Sequence, residues 1–128
     1  MRLLLDTHAF LWFFIGNSAL STTARALIED ESNDKFFSIA SLWEIAIKAS
    51  VGKLTPSKSF DEIFPDELAN NGIVLIGITT AHVALITTLP CHHRDPFDRL
   101  LIAQAMVEHM EVVSADAAFD DYAVARLW

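Results

Sequence analysis

Residues 2–8 read RLLLDTH: three consecutive leucines, an aspartate, and then the first residues of an apolar segment that runs to Ile15. A short, continuously apolar run is typical of a strand that is covered on both faces of its sheet. We therefore predict a strand at Arg2–Leu5 and a helix at His8–Ile15, with Asp6 at the junction between them.

The same alternation of short apolar runs and helical segments continues along the chain. Further strands are predicted at Lys35–Ile39, Ile73–Ile78, Val112–Ser114 and, as an edge strand, Val124–Leu127. Helices are predicted from Ser21–Thr23 to about Glu31, from Ser41 to Gly52, in part of Thr55–Asn71, and over Thr80–Leu89, Asp95–His109 and Ala117–Tyr122. This order, with uniformly apolar strands, predicts an α/β fold, a three-layer α/β/α sandwich with a mostly parallel central sheet. No repeat or linker divides residues 1–128, so we interpret them as one domain.

The composition limits the classes of function. Hydrophobic residues make up 52% of the 128 residues and the mean hydropathy is +0.34, an apolar surplus that predicts a permanent protein partner. Nine Lys and Arg against seventeen Asp and Glu give a net charge of −8. A broad basic face for nucleic acid is thereby excluded, because phosphates are attracted by clustered positive charge. A nucleic-acid substrate would need a divalent cation to supply that charge.

The sequence also bears on location. Its single cysteine, Cys91, excludes an internal disulfide framework and favours a reducing compartment. No apolar run approaches the roughly 20 residues that span a bilayer. Asp6 and His8 interrupt the apolar start, which argues against a signal peptide. We predict a cytoplasmic protein without a membrane segment.

Four acidic residues lie where a predicted strand passes into a helix or in the first turn of a helix: Asp6, Glu44, Asp98 and Asp116. The carboxyl ends of parallel strands share one edge of the sheet, and the binding crevice lies beyond that edge. We therefore expect the four carboxylates to lie close together.

Each of these acids also has a simpler interpretation as a helix cap. Asp6 and Asp116 are suitable N-caps, Glu44 completes a Ser41-x-x-Glu44 capping box, and Asp98 with Asp95 suits a first helical turn. If the four carboxylates converge, however, helix capping alone does not account for them. Two carboxylates about 4 Å apart repel by about 4 kcal/mol at an effective dielectric near 20. A hard divalent cation would relieve this repulsion, and oxygen ligands favour Mg²⁺ or Mn²⁺ over zinc. The adjacent pair His92-His93 lacks the spacing of a zinc site and is interpreted as a surface loop.

Four blocks of sequence resemble the PIN-domain ribonucleases of the VapC type, which are toxins of bacterial toxin–antitoxin pairs. The blocks are LLLDTH at 3–8, SLWEI at 41–45 with Lys48, HRDPFDRLLIAQA at 93–105, and Ser114-Ala115-Asp116 with Phe119. The resemblance covers essentially the whole chain and depends on the order and spacing of all four blocks. It implies that Asp6, Glu44, Asp98 and Asp116 bind Mg²⁺, with Mn²⁺ as a substitute, and hydrolyse RNA phosphodiesters. It also implies a homodimer that is blocked by a cognate antitoxin.

Within this interpretation, Asp6 and Asp98 are predicted to be direct metal ligands. Glu44 and Asp116 are predicted to complete the shell or to orient the attacking water as general base. RNA phosphates are predicted to contact Lys48, Arg94 and Arg99, although ordinary solvated side chains or ion pairs explain these residues as well. The aromatic segment Trp12–Phe14 is better explained by core or interface burial than by base stacking.

Two rival functions fit the same fold. A phosphatase or phospho-acceptor would use Asp6 as its nucleophile, but such sites usually have a second acid beside it and a basic residue at a late strand end. The second acid can also lie two residues further on, but here Asp6 is followed by Thr7 and His8, and Asp116 takes the place of the basic residue. An acidic partner-binding module would use the four carboxylates as helix caps alone.

Overall fold

The computed structural model describes residues 1–52 and 59–128. Residues 55–58 of the predicted helical segment Thr55–Asn71 lie outside the described residues. Five strands form one parallel sheet in the order β3-β2-β1-β4-β5: β1 Arg2–Leu5, β2 Asp34–Ser38, β3 Ile73–Ile76, β4 Glu111–Val113 and β5 Arg126–Leu127. The predicted parallel α/β architecture is confirmed, and β5 is an edge strand as expected.

Helices connect the strands: α1 Thr7–Ile15, α2 Thr22–Glu29, α3 Ile39–Ser50, α4 Phe60–Ile63, α5 Asp66–Asn70, α6 Thr80–Ile86, α7 Pro96–Glu108 and a 3₁₀ helix at Ala117–Asp121. The three leucines of β1 show how these helices cover both faces of the sheet. Leu3 and Leu5 pack into one apolar cluster with Phe10 of α1, whereas Leu4 belongs to a second cluster with Leu101 of α7. All three leucines are fully buried because β1 is the central strand.

One predicted helix start is wrong. Helix α3 begins at Ile39, and its N-cap is Ser38, whose hydroxyl accepts a hydrogen bond of 3.0 Å from the Ala40 N–H. Strand β2 passes into α3 without a loop, so Ser41 lies inside the helix, where it is buried. Consequently the capping box predicted for Ser41 and Glu44 does not form.

The sheet has a topological switch point between its central strands β1 and β4. From β1 the chain moves outward through β2 to β3, and it later returns to β4 and β5 on the other side of β1. Such switch points open a crevice at the carboxyl ends of the strands. Asp6 follows β1 and Ser114 follows β4, so both residues flank this crevice. Among the described residues, no helix has the length and apolarity needed to cross a membrane.

Candidate active site

A cavity of about 290 Å³ lies at the switch point and is lined by all four predicted acids. The remaining lining residues are Thr7, His8, Lys48, His93 and Asp95. The predicted proximity of the carboxylates is therefore found in the structure, although they come from four different elements or junctions. Their roles as ligands or catalysts remain predictions.

Asp6 is both a helix cap and a member of the cavity. Its Oδ1 accepts a hydrogen bond of 2.7 Å from the Ala9 N–H at the start of α1, and its Oδ2 accepts one from the Ser114 hydroxyl. Only 7% of Asp6 is exposed, and this burial raises the pKa of its carboxyl despite both hydrogen bonds. The cap explanation is thus correct for one oxygen, while the other faces β4.

Glu44 points from the second turn of α3 toward the end of β1. Its Oε1 accepts a hydrogen bond of 2.7 Å from the Thr7 hydroxyl, and its Oε2 lies 3.4 Å from the Lys48 ammonium one turn later. These contacts replace the predicted capping box and fix both oxygens of the carboxylate. The hydroxyls of Thr7 and Ser114 therefore orient acids of the cavity.

Asp98 has the most perturbed carboxyl of the cavity. Burial within the site, followed by the nearby charge of Asp95, raises its pKa to about 7, and the charges of Asp6 and Glu44 act in the same direction. Its Oδ2 lies 2.9 Å from the Nε2 of His93, which partly offsets the rise. Asp98 follows the N-cap Asp95, whose Oδ1 accepts the Phe97 N–H at 2.8 Å.

Asp116 closes the cavity on the side of β4. Its Oδ1 accepts the Ala118 N–H at 2.9 Å and so caps the 3₁₀ helix, while its Oδ2 lies 3.4 Å from His93 Nε2. The Asp116 N–H donates to the Ser114 oxygen at 3.0 Å. Ser114 therefore couples Asp116 to Asp6 through a single hydroxyl.

The donor set of the cavity fits a hard divalent cation. Its ionisable lining consists of five carboxylates, one lysine and the two histidines His8 and His93. Crowded carboxylates that lack a full set of counter-charges are expected to bind a cation, and their oxygen donors suit Mg²⁺ or Mn²⁺. The buried position of Asp6 and the raised pKa of Asp98 show where negative charge is least compensated by the protein.

The three predicted phosphate contacts differ in their surroundings. Lys48 lines the cavity, and exposed Arg94 lines an adjoining groove of about 550 Å³ that shares Glu44, Lys48 and Asp95 with it. The Arg99 guanidinium instead donates to backbone carbonyls, those of Pro90 at 2.9 Å, Leu89 at 3.3 Å, and Ile86 and His93 at 3.5 Å. This geometry assigns Arg99 to holding the segment before α7. The side chains of Trp12–Phe14 pack against the core as expected.

Three residues of the cavity, His8, His93 and Asp95, were missed by the sequence interpretation. His93, predicted to be part of a surface loop, contacts both Asp98 and Asp116, and Asp95, interpreted only as a cap, also lines the cavity. A usable signal was present, since His93 and Asp95 lie in the same block as Asp98, shortly before the helix start at Pro96. His92, the other half of the pair, instead packs against Tyr122 with ring centroids 5.3 Å apart.

Fold and site together define an α/β protein with an acidic centre at the switch point of a parallel sheet. The PIN domain model matches residues 3–125, and the chain belongs to the PIN domain family. Among curated proteins it is similar to Ribonuclease VapC16 of Mycobacterium tuberculosis, with 33% identity over 78 residues. That alignment spans 55% of this chain, and the chain covers only 55% of the length of that relative.

Solved structures show the same fold. VapBC2 from Rickettsia felis, bound to a promoter DNA fragment, superimposes with a TM-score of 0.72 at 14% identity, covering 99% of this chain and 98% of that one. FitAcB from Neisseria gonorrhoeae gives a TM-score of 0.66 at 16% identity, covering 98% and 96%. At these identities the similarity establishes the fold alone.

Proposed function

We propose that this chain is a Mg²⁺-dependent endoribonuclease that hydrolyses RNA phosphodiester bonds and acts as the toxin of a toxin–antitoxin pair. The observation that carries the proposal is the cavity in which Asp6, Glu44, Asp98 and Asp116 converge at the switch point of the sheet. The ribonuclease name of the curated relative supports it, as does a solved toxin–antitoxin complex from Klebsiella pneumoniae that contains the same fold.

Asp6 and Asp98 are the proposed direct ligands of Mg²⁺, with Mn²⁺ as a substitute. When bound, the ion would lower the pKa of a water molecule and stabilise negative charge on the phosphoryl oxygens. Asp116 Oδ2 or Glu44 Oε2 would accept the proton of the attacking water, because each has only a long contact of 3.4 Å, to His93 and to Lys48 respectively, while the other oxygen of each carboxylate accepts a shorter hydrogen bond. The hydrolysis requires no covalent protein intermediate.

The RNA strand is proposed to continue from the cavity into the adjoining groove. Lys48 at the shared wall and exposed Arg94 would contact phosphates on either side of the scissile bond. Phe97 also lines this groove and packs edge-on against Trp43, with centroids 5.2 Å apart, and Trp43 is 60% exposed. An exposed aromatic ring beside two cations suits a strand of bases and phosphates.

The rival functions fit the geometry less well. A phosphatase or phospho-acceptor with Asp6 as nucleophile usually has a basic residue at a late strand end, and the acid Asp116 follows β4 instead. Helix capping accounts for one oxygen each of Asp6 and Asp116 and leaves Glu44 and Asp98 unexplained, since neither is an N-cap. The pKa of Asp98, raised to about 7, is typical of a functional site.

Two protein partners are part of the proposal: a second copy of the chain and a cognate antitoxin. Large apolar side chains are exposed on two faces, on α3 and its C-cap (Trp43, Ile47 and Val51) and from β3 to α6 (Val74, Leu75, Ile78 and Val83). Such surfaces are commonly covered by partners. A cytoplasmic location, where the RNA substrate is found, completes the proposal.

Incubation of the purified protein with a mixed RNA pool tests the activity. We expect new RNA ends at defined positions when Mg²⁺ is present and none with EDTA. Asp98→Asn should abolish cleavage, whereas Asp66→Asn, an exposed acid in the first turn of α5, should cleave like the parent. Equal cleavage by Asp98→Asn and the parent would refute the assignment.

The toxin role has its own test. Induced expression of the chain alone should arrest bacterial growth, and co-expression of the small gene beside it should restore growth. Asp98→Asn should be harmless at the same protein level. Normal growth in the presence of active, accumulated protein would contradict the toxin role without contradicting the nuclease activity.

A further inference from the structure

His93 is fixed in the cavity by contacts on every side of its ring and backbone. Its backbone N–H donates to the Tyr122 hydroxyl at 2.7 Å, and its carbonyl accepts from Arg99 at 3.5 Å. The ring Nδ1 accepts the Asp95 N–H at 3.1 Å. Its Nε2 lies 2.9 Å from an oxygen of Asp98 and 3.4 Å from one of Asp116.

These contacts determine the tautomer of the ring. A nitrogen that accepts an N–H carries no proton, so Nδ1 is bare and the proton of the neutral ring resides on Nε2. The Nε2–H then donates to Asp116 Oδ2 at 3.4 Å, and the Asp98 oxygen lies 2.9 Å from the same nitrogen. The ring is therefore a hydrogen-bond donor toward the cavity.

The same contacts argue against His93 as a metal ligand. Its Nε2 and one oxygen each of Asp98 and Asp116 lie within 4.8 Å of one another, a spacing that suits a bound ion. A coordinating nitrogen must, however, be unprotonated. If Nε2 of the neutral ring were unprotonated, the proton would lie on Nδ1. The N–H groups of Nδ1 and Asp95 would then face each other, and the hydrogen bond between these two atoms would be lost.

We propose that His93 is a positioning residue of the metal site, which holds the Asp98 and Asp116 carboxylates together through Nε2–H and does not enter the donor set. Asp98 and Asp116 are 18 residues apart in sequence, and His93 contacts both. This inference rests on the proposed function for the presence of a metal. It deepens that function, because oxygen donors alone select Mg²⁺ or Mn²⁺ over zinc.

Long-range ¹H–¹⁵N NMR spectra of the full chain test the tautomer directly. We expect the His93 ring to show a protonated Nε2 and a bare Nδ1 in the metal-free protein, and to keep this pattern when Mg²⁺ is added. Loss of the Nε2 proton on addition of Mg²⁺ would identify His93 as a ligand and overturn the proposal. A protonated Nδ1 in the metal-free protein would overturn it as well.

Calorimetric titration with Mg²⁺, Mn²⁺ and Zn²⁺ tests the positioning role. His93→Ala should weaken Mg²⁺ and Mn²⁺ binding by a similar factor of about 10 to 100, as is usual for residues that orient metal ligands. His93→Gln, whose amide N–H can donate to a carboxylate, should recover part of this loss, and His92→Ala should match the parent. Unchanged Mg²⁺ affinity in His93→Ala, or a loss confined to Zn²⁺, would contradict the proposal.

These measurements remain informative if the proposed function fails. A parent protein that binds Mg²⁺ but leaves RNA intact would refute the ribonuclease and still allow both tests of His93. If His93→Ala does not fold, as judged by circular dichroism, the NMR result on the parent and the titration of His93→Gln decide the question.

Discussion

The two ends of the parallel sheet differ in how far the surrounding protein compensates buried charge. At the amino end, Lys35 of β2 is 5% exposed, and its ammonium donates at 2.8 Å to the carbonyl of Ile28 in the last turn of α2. That carbonyl belongs to the negative end of a helix dipole, so the buried cation is compensated within the fold. At the carboxyl end, Asp6 and Asp98 are crowded by further carboxylates around a cavity.

This contrast distinguishes charged side chains that are paired within the fold from charged side chains that a bound ligand would neutralise. Two aspartates illustrate it within one molecule. Asp120 pairs with Arg126 at 2.9 Å, which lowers the pKa of its carboxyl, whereas burial raises the pKa of Asp98 to about 7. A site that retains uncompensated charge sacrifices stability, as functional sites often do. Substitutions at Asp6, Lys35 and Asp98 test whether each charge is compensated by the fold or not.

Loss of the Asp6 charge should have the largest effect. We expect Asp6→Asn to reduce RNA cleavage about a hundredfold or more, because the proposed cation loses a ligand. The fold should persist, since asparagine is a suitable N-cap and keeps an oxygen for the Ala9 N–H. Cleavage rates with circular dichroism as the folding control provide the measurement. If the variant did not fold, the role of Asp6 would be structural and not the proposed functional one.

Much of the architecture was predictable because it depends on local pattern. The leucines of β1 are followed immediately by a helix cap, and this is enough to indicate a buried strand and the edge at which Asp6 lies. The start of α3 was not predictable in the same way. Ser38 and Ser41 are equally good caps in sequence, and only the length of β2 in the folded sheet selects Ser38.

The acidic residues that line the cavity could be predicted from the sequence, but the contacts that position His93 among them could not. Asp6 and Asp116 follow strands, Asp98 lies in the first turn of α7 and Glu44 in the second turn of α3, so topology brings the four acids to the same edge of the sheet. The position of His93 depends instead on Tyr122, 29 residues later, and on the carbonyls held by Arg99. No spacing in the sequence encodes these long-range contacts.

Removal of the buried ammonium should affect stability and leave the chemistry intact. We expect Lys35→Met to lower the free energy of unfolding by about 1 to 2 kcal/mol, because the Ile28 carbonyl loses a charged hydrogen-bond donor. Arg25→Met, at a partly exposed position of α2, should change it by less than about 0.5 kcal/mol. Urea unfolding gives both values. If Lys35→Met also abolished cleavage well below its melting temperature, the two ends of the sheet would not be independent.

Proton competition at Asp98 should make Mg²⁺ binding depend on pH. The pKa of this carboxyl in the folded, metal-free protein is raised to about 7, so below that pH a proton must leave before the oxygens can bind a cation. We expect the affinity to fall by up to about tenfold per pH unit below pH 7 and to level off above it. Calorimetric titration from pH 5.5 to 8.5 measures the curve. An affinity that is constant over this range would place Asp98 outside the donor set.

The smallest expected effect concerns the stability of the metal-free protein. A folded-state pKa raised above the unfolded value means that the folded state keeps its proton longer, so the Asp98 contribution to stability is present at low pH and is lost as the pH rises through about 7. In EDTA, Asp98→Asn should therefore raise the melting temperature at pH 8, by roughly 3 to 5 °C for a gain on the order of 1 kcal/mol.

At pH 5 that gain should be smaller but still present, because the Asp98 carboxyl of the folded parent is neutral there while that of the unfolded parent, with its pKa near its ordinary value, is already ionised. Saturating Mg²⁺ at pH 8 should reverse the order of the two proteins, since only the parent retains the full set of ligands and is stabilised by binding. Differential scanning calorimetry of both proteins under the three conditions separates these effects. A variant that is less stable than the parent in EDTA at pH 8 would show that Asp98, like Lys35, is compensated by the fold itself.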